Sequence, residues 1–390
     1  MKNQKSTQIL VKSILKKYSI CNYCLGRLLS KKLCLKPSKN LGKKFNIKST
    51  GSVLKKCYIC KNIFEKLDQV VAQMIQNSLP YEFQTFLVGS VIKPSISDND
   101  DIIKSKFKIK GVLNVKTHIN HEISKKFTRQ TKSKLDSLNP TITFKINFKD
   151  ESCQVHSKSL FVYGRYTKKQ RNMPQKQTLC KNCQGKGCMI CNFHGLENFN
   201  SVEGQIAKFL YKKFKSKQVK VNWIGGEDKS SLILGNGRPF FVKIFDPHIR
   251  KVRFQKQNSL NGLQLHCLRQ ILNQPKDSIP FRSSVVILVE SKIPLKNNLL
   301  KKLHLIKKNP LVMNNSDEKI VKKSVYDLKY KKIKPNFLQI IMSVDGGISI
   351  KSFVEDSSIQ PNLTELLDNE CKCVQFDFKQ IDMISNINKN

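Results

Sequence analysis

Carboxylates are scarce in this chain of 390 residues: 28 Asp and Glu stand against 71 Lys and Arg, a formal net charge of +43. None precedes Glu65, while residues 1–64 carry 16 basic side chains. Such an excess strains a compact state by self-repulsion unless a polyanion takes it up. Nucleic acid is the first candidate and an anionic membrane surface the second. Long apolar runs are also missing. The best, Val285–Val289 and Phe337–Val344, fall far short of the roughly 18 residues a membrane span needs and read as buried strands. Lys12, Lys16 and Lys17 interrupt any signal-peptide core. A soluble, cytoplasmic protein with no membrane partner is therefore expected, as a monomer. Tryptophan occurs once, at position 223, and no internal repeat of domain size is present.

What is present suffices for real cores. The chain is 39% apolar, so it is not wholly disordered, and its length suggests two or three domains at roughly 150 residues each. Thirteen cysteines sharpen the picture. Eight form Cys-x-x-Cys pairs: Cys21/Cys24, Cys57/Cys60, Cys180/Cys183 and Cys188/Cys191. In a reducing cytoplasm such pairs read as metal sites before disulfides. A tetrahedral zinc takes four thiolates, and each such turn aims two sulfurs at one point. Two closed, structural zinc sites are expected, one stapling the N-terminal module across a long spacer and one compact, with Gly185 and Gly187 between its pairs. Cys34, Cys153, Cys267, Cys371 and Cys373 read as buried free thiols.

Hydrophobic periodicity places the elements. Ile63, Leu67, Val70, Val71, Met74 and Ile75 share one face of a helix over Asn62–Leu79. Phe83–Ile92 reads as a strand, Lys116–Leu138 as a basic helix, and Thr141–Phe148 alternates as a half-buried strand. Ser201 is a helix N-cap before Val202, Ile206, Phe209 and Leu210. Strands are expected at Leu232–Leu234, Phe240–Phe245, Ser284–Val289, Phe337–Val344 and Ile348–Val354. Helices are expected at Leu260–Leu272 and Asn362–Leu367, with Asn297–Lys308 as a basic arm over the ligand. The expected fold class is α+β. Residues 1–61 form a basic zinc module, 62–175 an α/β RNA-binding domain, 176–198 a zinc-cluster linker, and 199–390 a domain with a mixed, largely antiparallel sheet.

Two stretches carry the chemistry. Residues 152–196 hold eight basic side chains and no carboxylate. Within them Arg165, Tyr166, Lys168, Lys169 and Arg171 interleave aromatic and cationic groups, a pattern suited to phosphate contact and base stacking or to a solvated loop. The second stretch is Trp223-Ile-Gly-Gly-Glu-Asp228-Lys-Ser-Ser-Leu-Ile-Leu-Gly235-Asn-Gly-Arg238-Pro-Phe240, a carboxylate pair on a glycine turn, then a strand and a second glycine turn. Taken alone it fits two hairpin turns.

This second stretch resembles the catalytic motif of the archaeal/eukaryotic tRNA pseudouridine(54/55) synthases, Gly-Arg-Glu-Asp, a short strand, then Leu-Gly-x-Gly-Arg-Pro-Phe. Tyr81–Gly89 resembles that family's entry to a THUMP-type RNA-binding domain, and Val162–Tyr166 with Arg171 and Pro174-Gln175 its linker motif. Cys180–Cys191 and Gly195 fit archaeal members. Ile350-Lys351-Ser352-Phe353-Val354 and Pro361-Asn362 resemble its late motifs. The resemblance spans essentially the whole chain, in order. It implies a THUMP-like RNA-binding region followed by a pseudouridine synthase domain acting on T-arm uridines of tRNA. It implies Asp228 as the catalytic aspartate, Lys351 as its cationic partner, and Tyr326 as the ring that stacks on the flipped uracil. Ser349 and Arg238 join them as substrate-binding candidates, Arg238 with turn capping as its alternative. No catalytic cofactor is implied, because the isomerisation needs neither redox nor energy input. Departures are Gly226 where the family has arginine, Ser349 where it has tyrosine, and Ser324 before Tyr326. A rival reading, favoured by Gly226, is a non-catalytic zinc-containing tRNA-binding or RNA-chaperone protein. A THUMP-bearing methyltransferase is disfavoured because no glycine-rich nucleotide loop follows a parallel strand. Cys-x-x-Cys-x-Gly-x-Gly also resembles the zinc repeat of J-domain chaperones, but it occurs once here.

Overall fold

The computed structural model describes residues 2–46, 56–314, 320–356 and 358–384. Val53, Leu54 and Lys55, which lead into the Cys57/Cys60 pair, lie outside them. The chain divides into two compact units, residues 1–158 and 159–390.

The first unit is built on a four-stranded sheet in the order Lys134–Leu135, Thr85–Val91, Ile142–Asn147, Ser152–Ser157. Thr85–Val91 runs parallel to Ile142–Asn147, and the last pair is antiparallel. A parallel pair needs a crossover, supplied here by the helices Pro94–Lys106 and Val115–Thr131. The expected helix over 62–79 forms as Leu67–Ser78 after a single tight turn, with Leu67, Val70, Val71 and Met74 buried. The zinc module is not separate from this sheet. Ile14, Leu25, Leu28, Cys57 and Ile59 share one apolar core with Val71, Phe86 and Phe144. The buried Arg27 guanidinium pairs with the equally buried Asp100. Helices Asn22–Ser30 and Lys39–Phe45 approach closely. A Cβ on Gly26 would collide with the Ser38 carbonyl oxygen, and one on Gly42 with that of Asn22, so both positions require glycine.

The second unit holds a nine-stranded sheet. Its order is Val325–Lys334, Phe337–Asp345, Phe281–Ser291, Cys371–Met383, Ile233–Phe245, Leu160–Lys168, Leu263–Ile271, Gln257–Leu260, with Gln218–Trp223 also paired to Ile233–Phe245. All pairings are antiparallel except Cys371–Met383 with Ile233–Phe245. The sheet is thus mixed and largely antiparallel, as expected. The helix Val202–Phe214 covers one face, its first turn capped by Ser201 Oγ accepting from Gly204 N at 2.9 Å.

Four expectations are corrected. Leu160–Lys168, placed in the RNA-binding domain, is an inner strand of this sheet, bonded on both sides. Leu260–Leu272 is not a helix. Leu263 and Leu265 alternate into the core along an antiparallel hairpin. Ile348–Val354 is not a strand. Ser349 caps a short helix, Ile350–Glu355, that buries Ile350, Phe353 and Val354 at helical spacing. Asn297–Lys308 is no arm. Its helical turns bury Leu300, Leu303 and Ile306 in the main core. Of the five leftover cysteines, Cys371 and Cys373 are buried, whereas Cys34 and Cys267 are exposed.

Candidate active site

The loop between the strands Gln218–Trp223 and Ile233–Phe245 turns at Gly225, which has φ +74 and no room for a Cβ against the Phe281 ring. Asp228 follows in the same loop, ahead of the strand Ile233–Phe245. Its Oδ1 accepts from Ser230 N at 2.8 Å and Ser230 Oγ at 2.6 Å. Ser231 Oγ donates to its carbonyl at 2.8 Å. Lys351, on the first turn of Ile350–Glu355, places Nζ 2.8 Å from Asp228 Oδ2. The two residues expected as catalytic aspartate and cationic partner, 123 positions apart in sequence, are therefore an ion pair. Partial burial pushes the Asp228 carboxyl up, but the hydrogen bonds from Lys351, Ser230 Oγ and Ser230 N outweigh it and hold the group at about 2. The same bond raises Lys351 above the ordinary lysine value. Asp228 is thus a carboxylate at any neutral pH.

The pair opens on a cavity of about 380 Å³, whose walls include Phe281, Asp345, Ser349, Phe376 and Phe378. That lies within the range of small-molecule pockets, and its lining combines the rings of Phe281, Phe376 and Phe378 with the charged groups of Asp228, Asp345 and Lys351. Ser349 lines it, although its Oγ is engaged as helix cap, accepting from Ser352 N at 3.3 Å. Tyr326 is not among the lining residues. Its OH donates to Asp345 Oδ1 at 2.9 Å, and the Arg282 guanidinium covers its ring at 3.4 Å from the centroid. The expected stacking face is occupied by that guanidinium.

Beneath the loop lies a buried ionic cluster. Glu227, Lys168 and Arg238 have fully buried side chains. Lys168 Nζ stands 2.9 Å from Glu227 Oε1 in an ion pair without hydrogen-bond alignment. Arg238 Nε lies 3.3 Å from Oε2, and Tyr166 OH donates to Oε2 at 2.7 Å. Lys168 Nζ also reaches the carbonyls of Met173 at 3.0 Å and of Asp228 at 3.4 Å, so the cluster holds the Asp228 loop by its backbone. Arg238 completes its contacts with the Ile224 carbonyl at 2.8 Å and the Phe378 ring at 4.6 Å.

Most of the expected RNA-contact set is engaged within the protein. Tyr166 and Lys168 are buried. Arg165 spends its donors on the carbonyls of Asn236, Gly237 and Ile381. Arg171 grips Asp377 with two bonds of 2.7 and 2.8 Å and the Ser230 carbonyl at 2.6 Å. Arg238 is neither a phosphate contact nor a turn cap. Of that set only Lys169 is an exposed side chain. The physical reason is placement: Arg165 and Lys168 sit on an inner strand and Arg171 follows just after it, and a charge taken out of water persists only with a partner. Glu227 and Asp377 are the partners that sequence reasoning left without a role. The signal for Glu227 was available, since eight cations in residues 152–196 with no local carboxylate must find one elsewhere if any is buried. Asp377, on a distant strand, carried no such signal.

Both cysteine sets assemble. Each group of four brings its sulfurs within 4.8 Å of one another. Sulfur pairs of 3.6 Å for Cys21/Cys60 and 3.8 Å for Cys183/Cys191 and Cys188/Cys191 match the spacing of about 3.8 Å set by four Zn–S bonds on a tetrahedron. Backbone N–H groups of Gly187 and Gly195 point at Cys183 and Cys191 Sγ, both at 3.2 Å, as bound thiolates require. The Asn182 amide on Cys188 lowers that thiol to about 6. Cys21, Cys24, Cys57 and Cys60, and Cys180, Cys183, Cys188 and Cys191, fit zinc with no ligand position left open. Elemental analysis of the purified protein is expected to give two zinc ions per chain, and one after Cys60→Ser.

Comparison with known proteins places the chain. A family model described as Pus10, C-terminal matches residues 161–382, and one described as Pus10 THUMP domain, archaeal matches residues 70–147. A protein of Nitrosopumilus maritimus named tRNA pseudouridine synthase Pus10 is 43% identical over 374 residues, covering 96% of this chain and 97% of its own. Its namesake in Cenarchaeum symbiosum is 29% identical over 372 residues, covering 93% and 90%. Another, from Archaeoglobus fulgidus, is 31% identical over 229 residues, covering 58% and 63%. The class is that of pseudouridine synthases that carry a THUMP domain. Within it, the chain belongs to the Pus10 family.

Proposed function

We propose that this protein isomerises uridine 54, uridine 55 or both in the T-arm of tRNA to pseudouridine, with Asp228 as the reacting carboxylate. The observation that carries the reading is the Asp228–Lys351 pair, 2.8 Å apart at the mouth of a cavity walled by phenylalanines. The target uridine is stacked in a folded arm, so it must flip out at a cost of a few kcal/mol. In the cavity the carboxylate acts at the ribose as nucleophile or base. The N1–C1′ bond breaks, the uracil turns, and C5 joins C1′. The C5 proton leaves and N1 takes one up, so atoms and electrons balance without a cofactor. Lys351 positions the carboxylate and keeps it charged. A base that stacks on the face of Tyr326 covered by Arg282 displaces that guanidinium.

The basic first unit grips the rest of the tRNA. Its lysines release counterions on binding, so affinity falls with salt. With about six phosphates contacted, doubling salt from about 100 to 200 mM lowers affinity roughly thirtyfold. A filter-binding titration checks this, and a flat salt dependence contradicts it.

The test of the function is an unmodified tRNA transcript incubated with purified protein, followed by carbodiimide-adduct primer extension. A stop at 54 or 55 supports the reading, and a product at other uridines only refutes the positions. No product despite tight, salt-sensitive binding establishes the non-catalytic tRNA-binding alternative. The intact ion pair argues against that alternative. The glycine that suggested it, Gly226, leaves open space: a Cβ there would meet only Gln175 Oε1, at 3.9 Å.

A further inference from the structure

The segment that carries the second cysteine set displays apolar side chains to solvent. Met189 and Ile190 are 82% and 77% exposed, Leu179 and Phe193 54% and 45%. The segment is not frayed. His194 stacks on Tyr211 with centroids 4.1 Å apart, and its Nδ1 lies 2.7 Å from the Lys217 carbonyl. Gln218 Nε2 donates to the Gly185 carbonyl at 3.0 Å. These side chains are held outward by a braced scaffold.

The backbone adds a second observation. Asn192 and Phe193 have φ of 49 and 64, the left-handed region that a bulky aromatic disfavours and that persists only where surroundings impose it. Phe193 N bonds to the Cys188 carbonyl at 2.8 Å, and Asn192 N to that of Met189 at 3.1 Å. Nothing in core packing requires an aromatic there, since its ring lies outside the apolar cores of the described residues. The charge around it is predominantly positive. Lys217 Nζ stands 4.8 Å from the Phe193 ring centroid. Lys181 and Lys186 are exposed on the same segment, and no carboxylate occurs from 152 to 196. Lys181 meets Glu197 at 3.4 Å, an exposed pair of the kind worth little in water and open to exchange for a phosphate.

Apolar faces beside ammonium groups suit one ligand chemistry: unpaired nucleotides, whose bases stack while their phosphates meet lysines. A duplex hides its base faces and leaves the apolar groups unused. We propose that the knuckle around Cys180–Cys191 is an RNA contact separate from the reaction centre. It takes a short single-stranded run, with bases on Phe193, Met189 and Ile190 and phosphates on Lys181, Lys186 and Lys217. The proposal rests on the RNA-enzyme reading only for the identity of the polymer.

The test uses the full, zinc-loaded chain and fluorescence anisotropy with a labelled oligoribonucleotide too short to pair, beside a duplex of the same composition. Phe193→Gly and the double variant Met189→Ser/Ile190→Ser are each expected to weaken single-strand binding about tenfold or more, with duplex binding unchanged. Glycine relieves the left-handed backbone, so Phe193→Gly is also expected to melt no lower than wild type. A merely structural ring would give the reverse, lower melting with intact binding. Wild-type affinity in both variants, or an equal loss for duplex, overturns the proposal. The two readings separate cleanly. Variants that lose the oligonucleotide while wild type makes no pseudouridine leave the knuckle standing and sink the enzyme. Pseudouridine formation with unchanged variant binding does the opposite.

Discussion

Asp228→Asn is expected to form no measurable pseudouridine on a transcript that the wild-type protein converts, a loss of at least about 10³-fold in kcat, while affinity for that transcript is retained. The amide keeps the volume of the carboxylate and its acceptor toward Ser230 but cannot attack or take a proton. Lys351→Met tests the other half of the pair. It removes the 2.8 Å donor to Asp228 Oδ2 and is expected to lower kcat by about 10²-fold, the usual cost of losing one placed electrostatic group. It also moves the acid limb of the pH profile. In the folded protein the Asp228 carboxyl is depressed to about 2 from an ordinary 3.8. The stabilisation tied to its charge is therefore present above the ordinary value and is lost only as pH falls toward about 2. Without Lys351 the burial that pushes the carboxyl up remains while its strongest opponent is gone, so the limb shifts to higher pH. Single-turnover rates between about pH 3 and 7 read the shift directly. An unmoved limb would mean that Lys351 does not set the charge state of Asp228.

The second large effect concerns the cluster beneath the loop. Glu227→Ala leaves Lys168 and Arg238 buried with no counter-charge, at a cost of about 3–5 kcal/mol. Urea unfolding followed on the second unit is expected to show a correspondingly lower midpoint. Lys168→Met is expected to cost less, about 1–3 kcal/mol, because the Glu227–Arg238 pair stays neutral and the groups that lose the ammonium, Glu227 Oε1 and the carbonyls of Met173, Asp228 and Lys229, leave no unpaired buried cation. Equal costs for the two variants would refute the charge argument and leave packing as the explanation. Both should lower kcat beyond what stability explains, since Lys168 also touches the Asp228 carbonyl at 3.4 Å.

Much of this was legible along the chain, and the failures have common causes. Local chemistry was readable: a glycine turn bearing Asp228, four Cys-x-x-Cys pairs, a capped helix after Ser201. Short apolar stretches were ambiguous. Leu260, Leu263 and Leu268 fit a helix as well as Leu263 and Leu265 fit a strand, and the open edge of Leu160–Lys168 decided it. Ile348, Ile350 and Val354 alternate, yet the Ser349 cap and a pocket for Phe353 made a helix.

Which side chains can do chemistry, and which turns and metal sites can form, is readable along the chain, because those depend on neighbours within a few residues. What each cation pairs with is set by the folded chain. Lys351 meets Asp228 across 123 positions, and Arg171 meets Asp377 across 206. Lys168 and Arg238, indistinguishable in sequence from RNA-gripping residues, lie buried on Glu227. A charge in water and a charge in a core are written with the same letter. Burial and the partner brought to it settle the difference, and both are properties of the folded sheet.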